Sequence, residues 1–480
     1  MSISDVGIRV QAVDVHFGTE GWRGVIADDF TFANVRRVGR AVASYLAGLD
    51  AQKGVVVGYD TRFLSSRFAQ EIAGVIEEDG ISVYLADKPV VTPALSFAAA
   101  SLEMDLGIMV TASHNPPEYN GIKIKTGDGG PAEQGVINGI QELLPKAAPP
   151  VPRKPPRIQR LDLDGVYLDG VRKEVKKEHF SGRGLTVVVD SMHGAGAGYL
   201  EGLLEAHGVK VIGIRNEINP GFGGSSPEPI AANLKPLGAA VRKCGADLGL
   251  ALDGDGDRLG VVDHLGNYID AHQVFLLLLT HLVENRECRG AVVKTFSTSS
   301  IIDLAAQRFG LAVRETPIGF KHIAGVCRRE PVLMGGEESG GYGFPQHLMD
   351  RDGILAGLLL VEFVALERRP LRSILDGLLE QFGSRVYRRL DLSLAFLPSL
   401  PIEPPPRLGN RAVTSVETLD GVKLRLDGED WILFRVSGTE PVLRLYAEAK
   451  TEAAVEEILG EGSRWIASLM AQEAVSVASL

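Results

Sequence analysis

Three separate stretches of this chain repeat one pattern, and that pattern narrows its possible folds more than any other feature. In the first, the β-branched run Gly54–Asp60 leads into a helical spacing over Ser65–Asp79 and a second apolar run, Ile81–Ala86. Leu185–Asp190 repeats this order, with a helical segment near Gly198–His207 and apolar residues at Val209–Ile214. Ala291–Phe296, Ser300–Phe309 and Leu311–Arg314 do so a third time. Continuous apolar strands alternating with helices make βαβ units, whose sheets are buried on both faces. Any α/β protein contains such units. Three of them at long, irregular spacing point to related α/β domains rather than to a solenoid.

The chain is long enough for this. It has 480 residues, 45% of them hydrophobic. A single core stops growing at about 250–300 residues, and about 150 residues per domain predicts three or four domains. The proline-rich stretch Pro145–Pro156 reads as a semi-rigid linker or long surface loop, and Pro398–Pro406 as a similar element of the last domain. Near the C-terminus the rhythm changes. Val422–Leu426, Trp431–Val436 and Val442–Ala449 read as short strands with turn signals between them, and Glu452–Met470 as a helix. That is the pattern of a small α+β domain.

Charge and cysteine usage remove several function classes. The formal net charge is −11. Nucleic acids and anionic membranes require a basic footprint, so neither is expected as a partner. A small anionic substrate needs only a local positive pocket. Cys244, Cys288 and Cys327 are too few and too scattered for a disulfide framework or a zinc site, which points to a reducing cytoplasm. The first residues lack a basic stretch followed by an apolar one, so no signal peptide is expected. Val274–Val283 is too short to span a membrane and contains His281, and Ile354–Leu366 carries Glu362. Both read as buried helices.

Six stretches carry candidate chemistry. Thr111–Lys125 (TASHNPPEYNGIKIK) places Ser113 beside His114, with Lys123 and Lys125 beyond a turn. A hydroxyl among cationic neighbours can carry a phosphoryl group, act as a hydrolase nucleophile, or simply occupy a turn; the hydrolase G-x-S-x-G elbow is absent. Asp253, Asp255 and Asp257 alternate with glycines and precede Arg258. Three crowded carboxylates repel one another unless a cation sits among them, and sparse all-oxygen ligation suits Mg²⁺. An EF-hand is excluded, because Arg258 stands where that loop needs glycine and His264 where it needs glutamate. Arg435 with Ser437, Gly438 and Thr439 offers a forked donor and two hydroxyls to a phosphate. In Gly335–Gly341, Glu337 and Ser339 are two residues apart and suit sugar hydroxyls, or form a flexible acidic loop. Arg23, between glycines, and Arg62, in Asp60-Thr61-Arg62, are phosphate contacts or solvated surface residues.

Taken in order, TASHNP with NGIK, DGDGDR, GEESG and RVSGTEP closely resemble the α-D-phosphohexomutase superfamily, from Phe17 to the C-terminal helix. The resemblance implies an α/β fold: three related α/β domains with mixed sheets plus a smaller C-terminal α+β domain around a central cleft. The corresponding limits here are 1–157, 158–264, 265–383 and 384–480. It implies that Ser113 is a phosphoserine in the active enzyme and that Asp253, Asp255 and Asp257 bind Mg²⁺ with a phosphoserine oxygen. Arg23 and Arg258 would contact the phosphoserine region. His114 and Lys123 would handle protons, and Glu337 and Ser339 would hold sugar hydroxyls. Arg435, Ser437, Gly438 and Thr439 would grip the phosphate that is not reacting.

The implied reaction is reversible interconversion of hexose 1- and 6-phosphates, a hexose phosphate being the expected partner of a monomer or homodimer. Thr316–Lys321 (TPIGFK), with Gly319 and Lys321, resembles the element of phosphoglucomutases, so glucose 1,6-bisphosphate is the expected intermediate and primer. Glu338 stands where phosphoglucosamine mutases carry glutamine, which argues against that substrate. The alternatives are a phosphomannomutase, a dual-specificity mutase, and a non-catalytic sugar-phosphate binder.

Overall fold

The computed structural model of the chain describes residues 15–18, 21–49, 53–144, 158–394, 400, 405–436 and 442–478, with side chains as far as 471. The Pro145–Pro156 stretch, most of Pro398–Pro406, and Ser437, Gly438 and Thr439 lie outside the described residues.

The described strands form four sheets. The first contains β1 (Trp22–Val25), β2 (Val55–Tyr59), β3 (Val83–Ala86), β4 (Leu106–Val110), β5 (Tyr119–Thr126) and β6 (Gln159–Leu161), in the order β1-β5-β4-β2-β3-β6. The second contains β7 (Thr186–Asp190), β8 (Lys210–Ile214), β9 (Leu248–Leu252), β10 (Leu259–Asp263) and β11 (Tyr268–Ile269), in the order β11-β10-β9-β7-β8. The third contains β12 (Ala291–Thr295), β13 (Val313–Thr316), β14 (Val332–Gly336) and β15 (Tyr342–Gly343), in the order β13-β12-β14-β15. The fourth is wholly antiparallel: β16 (Val386–Ser393), β17 (Arg407–Leu408), β18 (Arg411–Glu417), β19 (Val422–Leu426), β20 (Trp431–Val436) and β21 (Val442–Ala449), in the order β16-β21-β20-β19-β18-β17. β6 lies beyond residue 157 yet extends the first sheet, and β11 lies beyond residue 264 yet extends the second.

The first three sheets share one plan. β3-β2-β4, β8-β7-β9 and β13-β12-β14 are parallel triplets, and β5, β10 and β15 each add antiparallel beside the third member. The Ser113 loop joins β4 to β5, the aspartate loop joins β9 to β10, and the Glu337 loop joins β14 to β15. Three chemically different loops therefore occupy one topological position. This is a stronger sign of relatedness than the βαβ repeat in the sequence.

The two apolar segments are buried helices, Ala271–Thr280 and Gly353–Glu367, the first running into a short π-helical turn, His281–Asn285. Their polar interruptions meet: His281 Nε2 lies 2.7 Å from Glu362 Oε2, and His179 Nδ1 lies 2.6 Å from Oε1. A buried carboxylate needs such partners. The helix Gly353–Glu367 is apolar on all sides because it packs against helices of both the second domain and the third, Tyr199–Ala206 and Ala271–Thr280. No described helix is long and apolar enough to cross a membrane.

Asp352 caps that central helix by accepting from the Leu355 N–H (2.8 Å), and it also accepts from the Tyr167 hydroxyl. The His347 ring lies 3.5 Å from Asp352 and 3.6 Å from Glu174, and it stacks on Phe97. Burial lowers the His347 pKa, but the two carboxylates outweigh it and raise the value from 6.5 to about 9. The folded value lies above the unfolded one, so the stabilisation is complete below pH 6.5 and is lost as pH rises through about 9. His347→Gln is expected to lower the Tm below pH 6.5, with the gap from wild type closing above pH 9. Thermal melts across that range check it, and a pH-independent gap would contradict it.

The C-terminal sheet docks on the third domain through an aromatic seam of Phe296, Trp431, Leu433 and Tyr446. The buried Lys423 ammonium lies 4.4 Å from the Trp431 ring centroid and donates to the Phe296 carbonyl (2.7 Å). Glu448 accepts from the Trp431 indole and from the Ser300 N–H and hydroxyl.

Candidate active site

The Ser113 loop is held from behind. Arg62 is buried, and its guanidinium donates to the carbonyls of Ser113 (2.6 Å), Asn115 (2.6 Å), Pro116 (2.8 Å) and Tyr119 (3.0 Å). It is a scaffold for the loop, neither a solvated surface residue nor, with those donors committed, a phosphate contact. Asp60 accepts from the Thr111 hydroxyl (2.6 Å), and Thr111 Oγ1 in turn accepts from the Ser113 N–H (2.8 Å). These bonds hold Ser113 at φ +54°, a left-handed conformation that costs a non-glycine residue about 1–3 kcal/mol.

The serine faces the aspartate loop. Ser113 Oγ donates to Asp253 Oδ2 at 2.9 Å across the boundary between the first two domains. Gly254 passes so close that a Cβ there would collide with the Ser113 carbonyl, so this close approach requires glycine. Thr92 closes the same contact by donating to Asp255, its N–H to the carbonyl (2.8 Å) and its hydroxyl to Oδ2 (2.5 Å).

Ligand oxygens of Asp253, Asp255 and Asp257 lie within 4.8 Å of one another, and all three residues are buried. Lys123 Nζ sits 2.7 Å from Asp255 and 2.8 Å from Asp257. Burial and repulsion from its two neighbours push Asp253 well above the carboxylate range. Burial acts the same way on Asp255 and Asp257, but Lys123, joined at Asp257 by Arg351, outweighs it and holds both low. The Oδ1 atoms of Asp255 and Asp257 are buried without a hydrogen-bond partner. A carboxylate crowded by two others, two orphaned oxygens and an all-oxygen donor set fit a hard divalent cation such as Mg²⁺.

Cations ring this centre. Arg23 lies on the edge strand β1 rather than in a free glycine loop, and donates to Asn115 Oδ1 (2.5 Å). Arg258 is buried, with Nε 4.0 Å from Asp257. His114 is half-buried; desolvation and the charges of Arg258 and Arg23 hold its pKa well below 6.5, so the ring is neutral near pH 7.

Arg351 joins the aspartate loop to the Glu337 loop. Its Nη2 lies 2.8 Å from Asp257 and its Nη1 2.7 Å from Glu337, with Phe320 beneath the guanidinium at 5.7 Å. The flanking Asp350 pairs with Lys125 of β5. The Asp350-Arg351-Asp352 triplet stands outside the motifs named above. Its signal in the sequence is three consecutive charges directly before a helix that is apolar from Gly353 to Val361, and charges so placed have to find buried partners.

The remaining described candidates lie on the third and C-terminal domains. Gly319, at φ +120°, starts the helix Phe320–Cys327, and Lys321 on that helix donates to Gln134 of the first domain (2.8 Å). Arg435 ends β20 and pairs with Asp420 (3.0 Å). Ser339 is half-buried in the β14–β15 turn. Glu338 points away from Glu337: its carboxylate accepts from Thr295 (3.2 Å), and its charge acts on Tyr387 and Tyr446 of the C-terminal domain. Glu338 thus faces the seam between the third domain and the C-terminal one.

Four family descriptions match along the chain. Phosphoglucomutase/phosphomannomutase alpha/beta/alpha domains I, II and III match residues 14–149, 165–266 and 270–382, and the C-terminal domain of that family matches 410–461. The chain belongs to the phosphoglucomutase/phosphomannomutase family. A Thermococcus kodakarensis member of this name is 31% identical over 93% of this chain and 97% of its own. A Methanosphaera stadtmanae protein named as a probable phosphoglucosamine mutase is 33% identical over 92% of this chain and 96% of its own. A crystal structure from Thermus thermophilus, provisionally named a phosphomannomutase, superposes with a TM-score of 0.85 at 38% identity, covering 94% of this chain and 99% of that one. The phosphoglucomutase/phosphomannomutase relatives thus agree on architecture and differ in the sugar they are named for.

Proposed function

We propose that this phosphohexomutase, an enzyme of the isomerase class, interconverts glucose 1-phosphate and glucose 6-phosphate by passing a phosphoryl group through Ser113. The observation that carries the reading is the Ser113 Oγ–Asp253 contact, made inside a buried triad of carboxylates and ringed by Lys123, Arg23 and Arg258.

Asp253, Asp255 and Asp257 would hold Mg²⁺, which when bound offsets charge on the transferring phosphoryl group. The chain's own residues do the rest. Arg62 and Thr111 fix Ser113 so that its oxygen is presented in one direction. Phosphoserine 113 donates its phosphoryl group to the free hydroxyl of the hexose phosphate, giving glucose 1,6-bisphosphate. The bisphosphate turns over in the cleft and returns its other phosphate to Ser113. His114, neutral near pH 7, and Lys123 carry the hydroxyl protons. Arg435, with Ser437, Gly438 and Thr439, grips the phosphate at rest, while Glu337, Ser339, Gly319 and Lys321 recognise the sugar. A fork of donors accepts a phosphate on either carbon.

Two other sugars have specific support: glucosamine from the Methanosphaera stadtmanae relative, and mannose from the Thermus thermophilus neighbour. A coupled assay with Mg²⁺ and a bisphosphate primer, run on the 1-phosphates of glucose, mannose and glucosamine, tests the reading. The highest kcat/KM is expected for glucose. A strong preference for either other sugar overturns the choice of glucose, and inactivity on all three overturns the mutase reading.

A further inference from the structure

Asp420 lies in the turn between β18 and β19, outside every motif that the sequence singles out. Its two carboxylate oxygens point to different domains. Oδ2 accepts from the Ile318 N–H of the third domain at 2.8 Å, and Oδ1 accepts from Arg435 Nε at 3.0 Å. Ile318 directly precedes Gly319, so one carboxylate touches both the Thr316–Lys321 element and the arginine of the phosphate loop. His322, one turn on, also responds to it: burial and Lys321 lower the His322 pKa while Asp420 opposes them.

The turn is built to deliver this side chain. Gly421 has φ +101°, and a Cβ there would collide with the Phe434 carbonyl and lie 3.2 Å from the Arg435 Cα. The turn is thus pressed against the backbone of the residue that Asp420 holds. Electrostatics alone would disfavour a carboxylate at this position, because it repels the phosphate that Arg435 is there to bind. Its geometry gives it a use. A carboxylate on Nε fixes the guanidinium plane and leaves the terminal edge of the fork, which recognises phosphate bidentately, directed elsewhere.

We infer that Asp420 is a positioning residue for substrate: it aligns Arg435 for the resting phosphate and locks that clamp to the Ile318–Lys321 loop, so that the phosphate and sugar subsites keep one spacing. The inference rests on the mutase reading above. Asparagine cannot replace aspartate here, because only one of its two terminal atoms accepts a hydrogen bond.

The test is steady-state kinetics of the full-length enzyme with its preferred hexose 1-phosphate and Mg²⁺, for wild type, Asp420→Asn, Arg435→Lys and the double variant. Asp420→Asn is expected to raise KM about 10-fold or more with a much smaller change in kcat, a misplacement effect, and to leave the Tm near that of wild type. Lysine has no Nε–H edge for Asp420 to hold, so adding Asp420→Asn to Arg435→Lys is expected to cost much less than in the wild type. Unchanged kinetics, a lowered KM, a fall in Tm without a KM effect, or fully additive losses would each overturn the inference while leaving an active wild type as a mutase. An inactive wild type would overturn the mutase reading and this inference together.

Discussion

Ser113→Ala is expected to lower kcat for glucose 1-phosphate by about 10⁴-fold or more, the scale of removing a nucleophile that works as part of a unit. The variant removes one oxygen and keeps the loop. The Arg62 bonds go to main-chain carbonyls of the Ser113 loop, and the Thr111 bond comes from the Ser113 N–H. Neither uses the side chain. What is lost is the hydroxyl 2.9 Å from Asp253. That bond is one buried interaction, with a stability cost of about 1–3 kcal/mol. The expected signature is thus a near-complete loss of turnover in a protein that still melts cooperatively and still gains stability from Mg²⁺. The coupled assay and melts with and without Mg²⁺ measure both. Substantial residual turnover would remove Ser113 from the reaction.

Arg351→Gln is the second large effect. Arg351 is 2% exposed and bridges two buried carboxylates, Asp257 and Glu337. Breaking a buried ion pair by removing one partner costs roughly 3–5 kcal/mol, because the other charge is left without compensation. Glutamine is neutral and shorter, so Asp257 keeps Lys123 at 2.8 Å but loses one of its cations, and Glu337 loses its Arg351 pair. A divalent cation on the aspartate loop can replace part of the missing charge at Asp257. The variant should therefore melt far below wild type in chelator, and the Tm gain on adding Mg²⁺ should be larger in the variant than in wild type. Its KM should also rise, because Glu337 loses the group that orients it. Equal melting temperatures, or equal Mg²⁺ shifts, would show that Arg351 does not share in the charge balance of the centre.

Much of this was readable before any coordinates. The runs at β2, β7 and β12 declared themselves because strands buried on both faces have no polar alternation to confuse them. The strands Val422–Leu426, Trp431–Val436 and Val442–Ala449 have the bounds that the sequence predicts. Leu311–Arg314 is shifted: the strand is Val313–Thr316, and the Leu311 N–H is spent on the Ala306 carbonyl of the preceding helix. The loops were legible as chemistry because alternating Asp and Gly, or Arg beside hydroxyls, are costly without a ligand. What stayed hidden is pairing between segments far apart in the chain, within the first domain for Arg62 and across domains for Arg351 and Asp420. Arg62, Arg351 and Asp420 are ordinary charged residues in the sequence, and only topology shows that each is committed to two or more segments. Glu338 shows the reverse: it lies beside Glu337 in the chain, yet in the β14–β15 turn its carboxylate faces Thr295 and the C-terminal domain.

The phosphate-carrier role of Ser113 is the centre of the account, and mass spectrometry of the peptide that contains it is its most direct test. After incubation with glucose 1,6-bisphosphate and Mg²⁺, that peptide should gain the mass of one phosphoryl group on Ser113, and a chase with glucose 1-phosphate should show the label passing into the bisphosphate. A Ser113 that stays unmodified in enzyme that is turning over, or a label that never leaves the serine, would contradict the account.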